Sequence, residues 1–214
     1  MRKLPQTFTQ RSPTAVMEAA FYLLRQGLLN IPDIGRINVK QTRAFLWNAA
    51  WLQEHMNKEW QGDDFPLAGA RAQRSKMQEA FSDLRLAIIG PGGTGKTAVL
   101  KISEALTVFF AGPGSVQKLA PSNAAARILG GDTLHALCKL PFGNKCLTSK
   151  IGRLKKHTLT AHRRKWSTTI AAYLDEVSMI AADQFLQCEV RLRQAKDRDQ
   201  PFGGLAMNLS LIHI

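Results

Sequence analysis

Apolar residues recur at helical spacing over 14–29, through Val16, Ala19, Ala20, Leu23, Leu24 and Leu28, until Asn30-Ile31-Pro32-Asp33 breaks the pattern. A second helix is predicted from Val39 to about Trp60, with Phe45, Leu46, Ala49, Leu52 and Met56 on one face. Trp47, Trp51 and Trp60 fall where packing is expected, rather than base stacking. Gln61 to Pro66 reads as a turn or linker, and a third helix covers about Ala70 to Leu84. At Leu84 the character changes. Leu84-Arg85-Leu86-Ala87-Ile88-Ile89 is a short, nearly continuous apolar run ending in glycine, the pattern of a buried parallel strand.

A helix is predicted from Lys96 to about Ala111, closed by Gly112-Pro113-Gly114. Val116 to Ala120 reads as the next strand, stopped by Pro121. Two short helical pieces follow, Asn123–Leu129 and Thr133–Leu140, separated by Gly130-Gly131. Thr168 to Leu174 is another strand, Ala181–Lys196 a helix, and Leu205 to Ile214 a last strand with Leu205, Met207, Leu209 and Leu211 on one side. Strands alternating with helices imply an α/β fold, a parallel sheet with helices on both faces. The expected division is a helical segment over 1–83 and an α/β core over 84–214.

Composition narrows the partners more than the fold. The chain has 214 residues, 45% of them hydrophobic and 21% charged, which excludes wholesale disorder. No uncharged apolar run reaches the length of a spanning helix, so no membrane partner is expected. Against 16 Asp+Glu stand 29 Lys+Arg, a net charge of +13, which favours a polyanion. Cys138, Cys146 and Cys188 are odd in number and irregularly spaced, arguing against a disulfide scaffold or a zinc site. The first acidic residue is Glu18, so an acid-poor organelle presequence over 1–17 stays open, whereas a secretory signal does not fit.

Gly90-Pro91-Gly92-Gly93-Thr94-Gly95-Lys96-Thr97 matches Gly-x4-Gly-Lys-[Ser/Thr] in full, between a predicted strand and a predicted helix. Glycines let backbone N–H groups close around a pyrophosphate, and the helix N-terminus adds partial positive charge. Lys96 is placed for the β- and γ-phosphates, and the Thr97 hydroxyl is a hard ligand for Mg²⁺. The second half of an ATP site should end another strand, and Ile170 to Leu174 followed by Asp175-Glu176 supplies it. Asp175 is the candidate for holding Mg²⁺ and Glu176 for orienting or deprotonating water. Taken alone, an apolar run ending in two acids is also what many ordinary strands show.

Four stretches point the same way: the phosphate loop, Leu119-Ala120-Pro121-Ser122-Asn123-Ala124-Ala125 running on to Gly131-Asp132-Thr133-Leu134-His135, Leu174-Asp175-Glu176-Val177-Ser178-Met179, and Pro201-Phe202-Gly203-Gly204. Together, over about 84–205, they resemble the superfamily-one 5′→3′ DNA helicases of the PIF type, relatives of RecD. The resemblance implies a RecA-like ATP-binding core, ATP and Mg²⁺ as cofactors and single-stranded DNA as partner. It also implies strand contacts at Pro121, Ser122, Asn123, Thr133 and His135, and a nuclear or mitochondrial setting. Ser122-Asn123 departs mildly from the common Thr-Gly. Asn38-x-x-Gln41 with Ala44-Phe45 looks like the upstream adenine-reading glutamine motif, more distant from the loop than the family would lead one to expect. From residue chemistry alone, Ser122, Asn123 and Thr133 read equally as helix caps, and His135 as a packed core residue.

Between Thr133 and Leu174 no acidic residue occurs, while Lys139, Lys145, Lys150, Arg153, Lys155, Lys156, Arg163, Arg164 and Lys165 are all cationic, with Trp166 beside them. Cations next to an aromatic suit a single-strand groove, and Arg163, Arg164 and Lys165 are its candidates. A solvated loop and a localisation address are the competing readings. A different phosphate-loop ATPase and a non-enzymatic ATP- and nucleic-acid-binding fragment are the rival classes of function. The family continues past its last strand into a Gly-Asp-x-x-Gln box and a second core domain, where this sequence runs Ile212-His213-Ile214. These 214 residues are therefore read as the N-terminal part of such an enzyme. They are expected to bind ATP, hydrolyse it feebly at most and not separate strands; nothing in them fixes an oligomeric state.

Overall fold

The computed structural model describes residues 13–25, 30–31, 35–59, 84–141 and 152–212. The elements in chain order are α1 (Pro13–Arg25), β1 (Asn30–Ile31), β2 (Gly35–Arg36), α2 (Val39–Glu59), β3 (Arg85–Gly90), α3 (Lys96–Ala111) and β4 (Val116–Ala120). Then come α4 (Asn123–Leu129), β5 (Asp132–Thr133), α5 (Leu134–Cys138), α6 (Lys156–Trp166) and β6 (Ala171–Leu174). A 3₁₀ turn (Val177–Met179), α7 (Ala182–Lys196), a second 3₁₀ turn (Pro201–Gly204) and β7 (Ala206–Ile212) complete the chain. The linker expected at 61–66, most of the third helix, Trp60, Cys146, Lys145 and Lys150 lie outside the described residues.

Two compact units result, one gathering Met1–Leu84 with Ala98–Pro113 and the other Arg85–Thr97 with Gly114–Ile214. In the first, α1 packs on α2. Val16, Ala19, Ala20 and Leu23 of α1 and Phe45, Ala49, Trp51 and Leu52 of α2 are buried there. Trp47 corrects the expectation made for it: its ring is 52% exposed, because it follows the buried Phe45 by two positions and so turns to the opposite side of the helix. β1 and β2, antiparallel, form a two-stranded ribbon of their own.

The second unit carries a five-stranded sheet in the order β3-β7-β6-β4-β5, and every pairing in it is parallel. β6 lies between β4 and β7 and is buried at all four residues, as its Ala171-Ala172-Tyr173-Leu174 sequence requires. β3 does not match its apolar sequence so well. Among the described residues it pairs with β7 alone, and its residues alternate between exposed and half-buried, with Ile89 61% exposed. An apolar run thus marks an edge strand here, not the fully buried one expected. One face of the sheet is closed by a cluster that includes Leu119, Leu134, Leu137, Trp166, Leu174, Leu192 and Met207. Cys138 and Cys188 sit in that cluster as free thiols, their sulfurs 3.0 Å apart. Burial pushes the Cys138 thiol well above its ordinary range, so it stays protonated and behaves as a small core residue.

The Pro201–Gly204 turn anchors the start of β7. The Arg85 guanidinium donates to the Pro201 and Leu205 carbonyls, both at 2.8 Å, and lies over the Phe202 ring. Glu189 accepts from the Phe202 amide at 2.9 Å. Gly203 has φ +66°, and a Cβ there would sit 2.7 Å from the Leu192 carbonyl oxygen, which is backbone and cannot swing away. Gly203→Ala combines a left-handed backbone with overpacking and should cost about 2 kcal/mol. Urea unfolding of the two proteins measures it, and equal midpoints would show that α7 yields to the added methyl.

Candidate nucleotide and nucleic-acid site

Because all strands run parallel, the segments that follow β3, β4 and β6 emerge at one edge of the sheet, where α/β proteins bind ligands. The segment after β3 is the phosphate loop. It is left-handed at Gly93 (φ +73°) and Gly95 (φ +76°), which lets its amides turn inward. Lys96 opens α3 and is 9% exposed, its ammonium donating to the Gly90 carbonyl at 2.9 Å and the Pro91 carbonyl at 2.8 Å. Thr94 closes the same loop through a 2.9 Å bond from its hydroxyl to the Pro91 carbonyl.

Thr97 follows Lys96 and points across to β6. Its hydroxyl donates to Asp175 Oδ2 at 2.7 Å, joining residues 78 positions apart. Asp175, 4% exposed, is held by its own amide on the Leu119 carbonyl at 3.0 Å. Asp175 Oδ1 accepts from the Glu176 amide at 3.0 Å. Glu176 adopts φ +54°, a conformation costly for a non-glycine residue, and its Oε2 is buried with no hydrogen-bond partner. Glu176 thus keeps one carboxylate oxygen that no protein group occupies, at the position expected to activate water. A hydroxyl and a carboxylate oxygen in contact suit Mg²⁺, which takes few protein oxygens and fills its octahedron from phosphate and water. No group of three or more His, Cys, Asp or Glu that would cage a metal occurs among the described residues.

The residues after β4 show the capping reading at two positions. Ser122 caps α4, accepting from the Ala125 amide at 3.2 Å, and Thr133 caps α5, accepting from the Ala136 amide at 3.3 Å. Asn123 is exposed and makes no cap; Pro121 and His135 are half-buried, so His135 is not the packed core residue that one reading made it. Gln41 belongs to the first unit. Its Oε1 accepts from the Asn38 amide at 2.7 Å, and Asn38 Oδ1 accepts from the Gln41 amide at 3.0 Å, a reciprocal capping box at the start of α2. Its adenine-reading role is carried by the resemblance alone.

The basic tract is not a loop throughout, since 156–166 form α6. Leu159, His162 and Trp166 face inward, while Arg163 pairs with Asp197 and Lys165 with Asp132 at 3.2 Å. Arg164 alone of the three candidate cations has no side-chain partner among the described residues. Trp166, expected beside these cations as the aromatic of a strand groove, is instead fully buried in the core cluster, because it closes the inward stripe of α6, and so offers no stacking face. His162 is 1% exposed, and its Nε2 lies 3.3 Å from the Arg191 carbonyl.

The family model described as PIF1-like helicase matches residues 76–210, more than half of the chain. The chain belongs to the PIF1-like helicase family. Among curated proteins it is 33% identical over 132 residues to the ATP-dependent DNA helicase PIF1 of Xenopus laevis, covering 61% of this chain and 20% of that protein. It is 31% identical over 124 residues to the ATP-dependent DNA helicase RRM3 of Saccharomyces cerevisiae, covering 56% and 16%. The chain thus spans about a fifth of the length of the relatives it matches. A Bacteroides Pif1 helicase solved with ADP-AlF3 and ssDNA is similar in fold, with a TM-score of 0.50 at 23% identity over 70% of this chain and 33% of that one. A structure of two coordinating Pif1 helicases at forked dsDNA gives 0.51 at 22% identity, over 70% and 34%. The parallel sheet is therefore a PIF1-like, RecA-like core, present in part.

Proposed function

We propose that this chain is the ATP-binding core of a 5′→3′ DNA helicase, hydrolysing Mg·ATP to move along single-stranded DNA when part of the whole enzyme. The observation that carries the reading is the bond between Thr97 and Asp175, which brings the phosphate loop onto the Asp-Glu pair. Gly90, Gly92, Gly93, Thr94 and Gly95 cradle the phosphates, and Lys96 exchanges its loop carbonyls for phosphate oxygens. Thr97 and Asp175 hold Mg²⁺, which when bound supplies charge neutralisation on the phosphates. Glu176 takes the proton of the attacking water. Asn123 and His135, exposed and half-exposed at the same sheet edge, are the favoured contacts for the strand, with Pro121, Ser122 and Thr133 shaping the turns that present them. The family sets the expected compartment as the nucleus or the mitochondrion.

Calorimetric titration with Mg·ATP tests the nucleotide half. Lys96→Ala removes one charge-assisted contact to phosphate and should weaken binding about 10- to 100-fold without unfolding the protein. Equal affinity would remove Lys96 from the site. Hydrolysis measured with and without oligo-dT tests the other half. A rate indifferent to the strand would remove Asn123 and His135 as the contacts that couple it to hydrolysis.

A further inference from the structure

At the opposite edge of the sheet, α6 and the segment before it, with the end of α7 and the residues just past it, line an open cleft of about 320 Å³. It is lined by Arg153, Arg163, Arg193, Gln194, Asp197, Arg198 and Asp199. Lys196, beside it, donates to the Trp166, Ser167 and Thr169 carbonyls that lead into β6, which fixes this end of α7 at the N-terminal edge of the strands. With six residues in β3, the two edges lie about 20 Å apart, so this cleft is not part of the phosphate-loop site.

Four guanidinium groups face two carboxylates here. Arg163 is committed to Asp197 and to the Gln194 carbonyl, and Arg193 to Asp199 and Glu189. The Arg153 and Arg198 side chains make no hydrogen bond or ion pair among the described residues, although the Arg198 amide donates to the Arg193 carbonyl at 3.3 Å. The backbone around Arg153 is nevertheless held in place. The buried Arg191 donates to the Gly152 carbonyl at 2.6 Å, and Gln194 accepts from the Leu154 amide at 3.4 Å. Two uncommitted guanidinium groups are thus carried over one cleft, Arg153 on a backbone fastened to α7 and Arg198 just past the helix end. Guanidinium forks match phosphate oxygens in a bidentate manner, and neither of these has to break an ion pair to bind one.

We propose that Arg153 and Arg198 bind a phosphate group in this cleft. The inference rests on the cleft itself and stands whether or not the chain belongs to a translocating enzyme. A phosphodiester of a nucleic-acid strand and a small phosphate are the two sources of that chemistry.

The test is Arg153→Gln/Arg198→Gln in a Lys96→Ala background, so that the phosphate loop's contribution is reduced and the same in every protein compared. The comparison protein is Lys40→Gln/Lys101→Gln in the same background, which removes the same charge from exposed positions elsewhere. Oligo-dT affinity is measured by fluorescence anisotropy across a salt series, and pyrophosphate affinity by calorimetry. If the cleft holds a phosphate of a strand, the log–log salt slope of the arginine variant falls by about 0.7 and that of the comparison protein does not. If it holds a small phosphate, pyrophosphate binding is lost while the slope stays. Unchanged slope and unchanged pyrophosphate affinity overturn the proposal, as does an equal effect in the comparison protein. Should the protein bind no oligo-dT, the pyrophosphate arm decides alone. Urea midpoints equal to the parent's are expected, since neither side chain bonds to the fold and the Arg198 amide bond is kept.

Discussion

Glu176→Gln should lower ATP hydrolysis by about 10²–10⁴-fold and leave Mg·ATP affinity unchanged. Glutamine has the shape and volume of glutamate, so the fold and the left-handed backbone at this position are preserved. What it lacks is a carboxylate able to accept a proton. Glu176 Oε2 is the oxygen that no protein group uses, while the neighbouring Asp175 spends both of its own, on Thr97 and on the Glu176 amide. The two acids are therefore not equivalent, although they adjoin in sequence. Asp175→Asn would disturb the Thr97 contact and with it nucleotide binding, whereas Glu176→Gln separates binding from chemistry. Single-turnover hydrolysis with protein in excess resolves slow rates, and calorimetry gives the affinity. Unchanged hydrolysis would mean that another group activates the water and that the strain at Glu176 serves only the turn into the 3₁₀ segment.

The elements that the sequence shows most clearly are those whose two ends are chemically marked. α3 begins at Lys96, where the glycine-rich loop stops, and ends at Ala111 before Gly112-Pro113-Gly114. β4 ends at Ala120 because Pro121 follows, and α4 is bounded by the Ser122 cap and by Gly130 in the left-handed region. Where marks are missing, the reading slips. The strand expected from Thr168 starts at Ala171, because the Thr169 amide closes a turn onto the Trp166 carbonyl and its hydroxyl donates to the Gly114 carbonyl. α6 was hidden for a different reason. Its inward positions are Leu159, His162 and Trp166, and the histidine breaks the apolar stripe while four cations dominate the rest. β5 is two residues long, too short for any period to show. The site was legible where spacing encodes chemistry, at Gly90 to Thr97 and at Asp175-Glu176. The ion pairs that occupy Arg163 and Lys165 were not, since their partners Asp197 and Asp132 lie more than 30 positions away.

Acid should destabilise this unit of the protein, and His162 should account for about 3 kcal/mol of the loss. The ring is buried, and burial is the main cause that depresses its pKa from about 6.5 to about 4. The contact with the Arg191 backbone is the next largest influence and pushes the other way, while the Arg191, Lys139 and Lys165 charges add to the lowering. The hydrogen bonds give the reason in atomic terms. A carbonyl only accepts, so Nε2 carries the proton toward Arg191, and Nδ1 is left bare, buried and without a partner. A second proton would have to sit on Nδ1, with nothing to receive it and three cations nearby. The unfolded chain takes that proton up near pH 6.5 and the folded one only near pH 4. Between those values the unfolded state binds more protons, so stability falls as the pH drops, and it is fully retained above about 6.5. His162→Gln keeps a donor for the Arg191 carbonyl and cannot titrate. The difference in unfolding free energy between the two proteins should shift by about 2 kcal/mol from pH 7 to pH 5 and by about 3 near pH 4, in favour of the variant. Urea denaturation at the three pH values measures it. A difference that stays flat with pH would place the acid sensitivity in other groups and leave His162 a plain packing residue against Trp166.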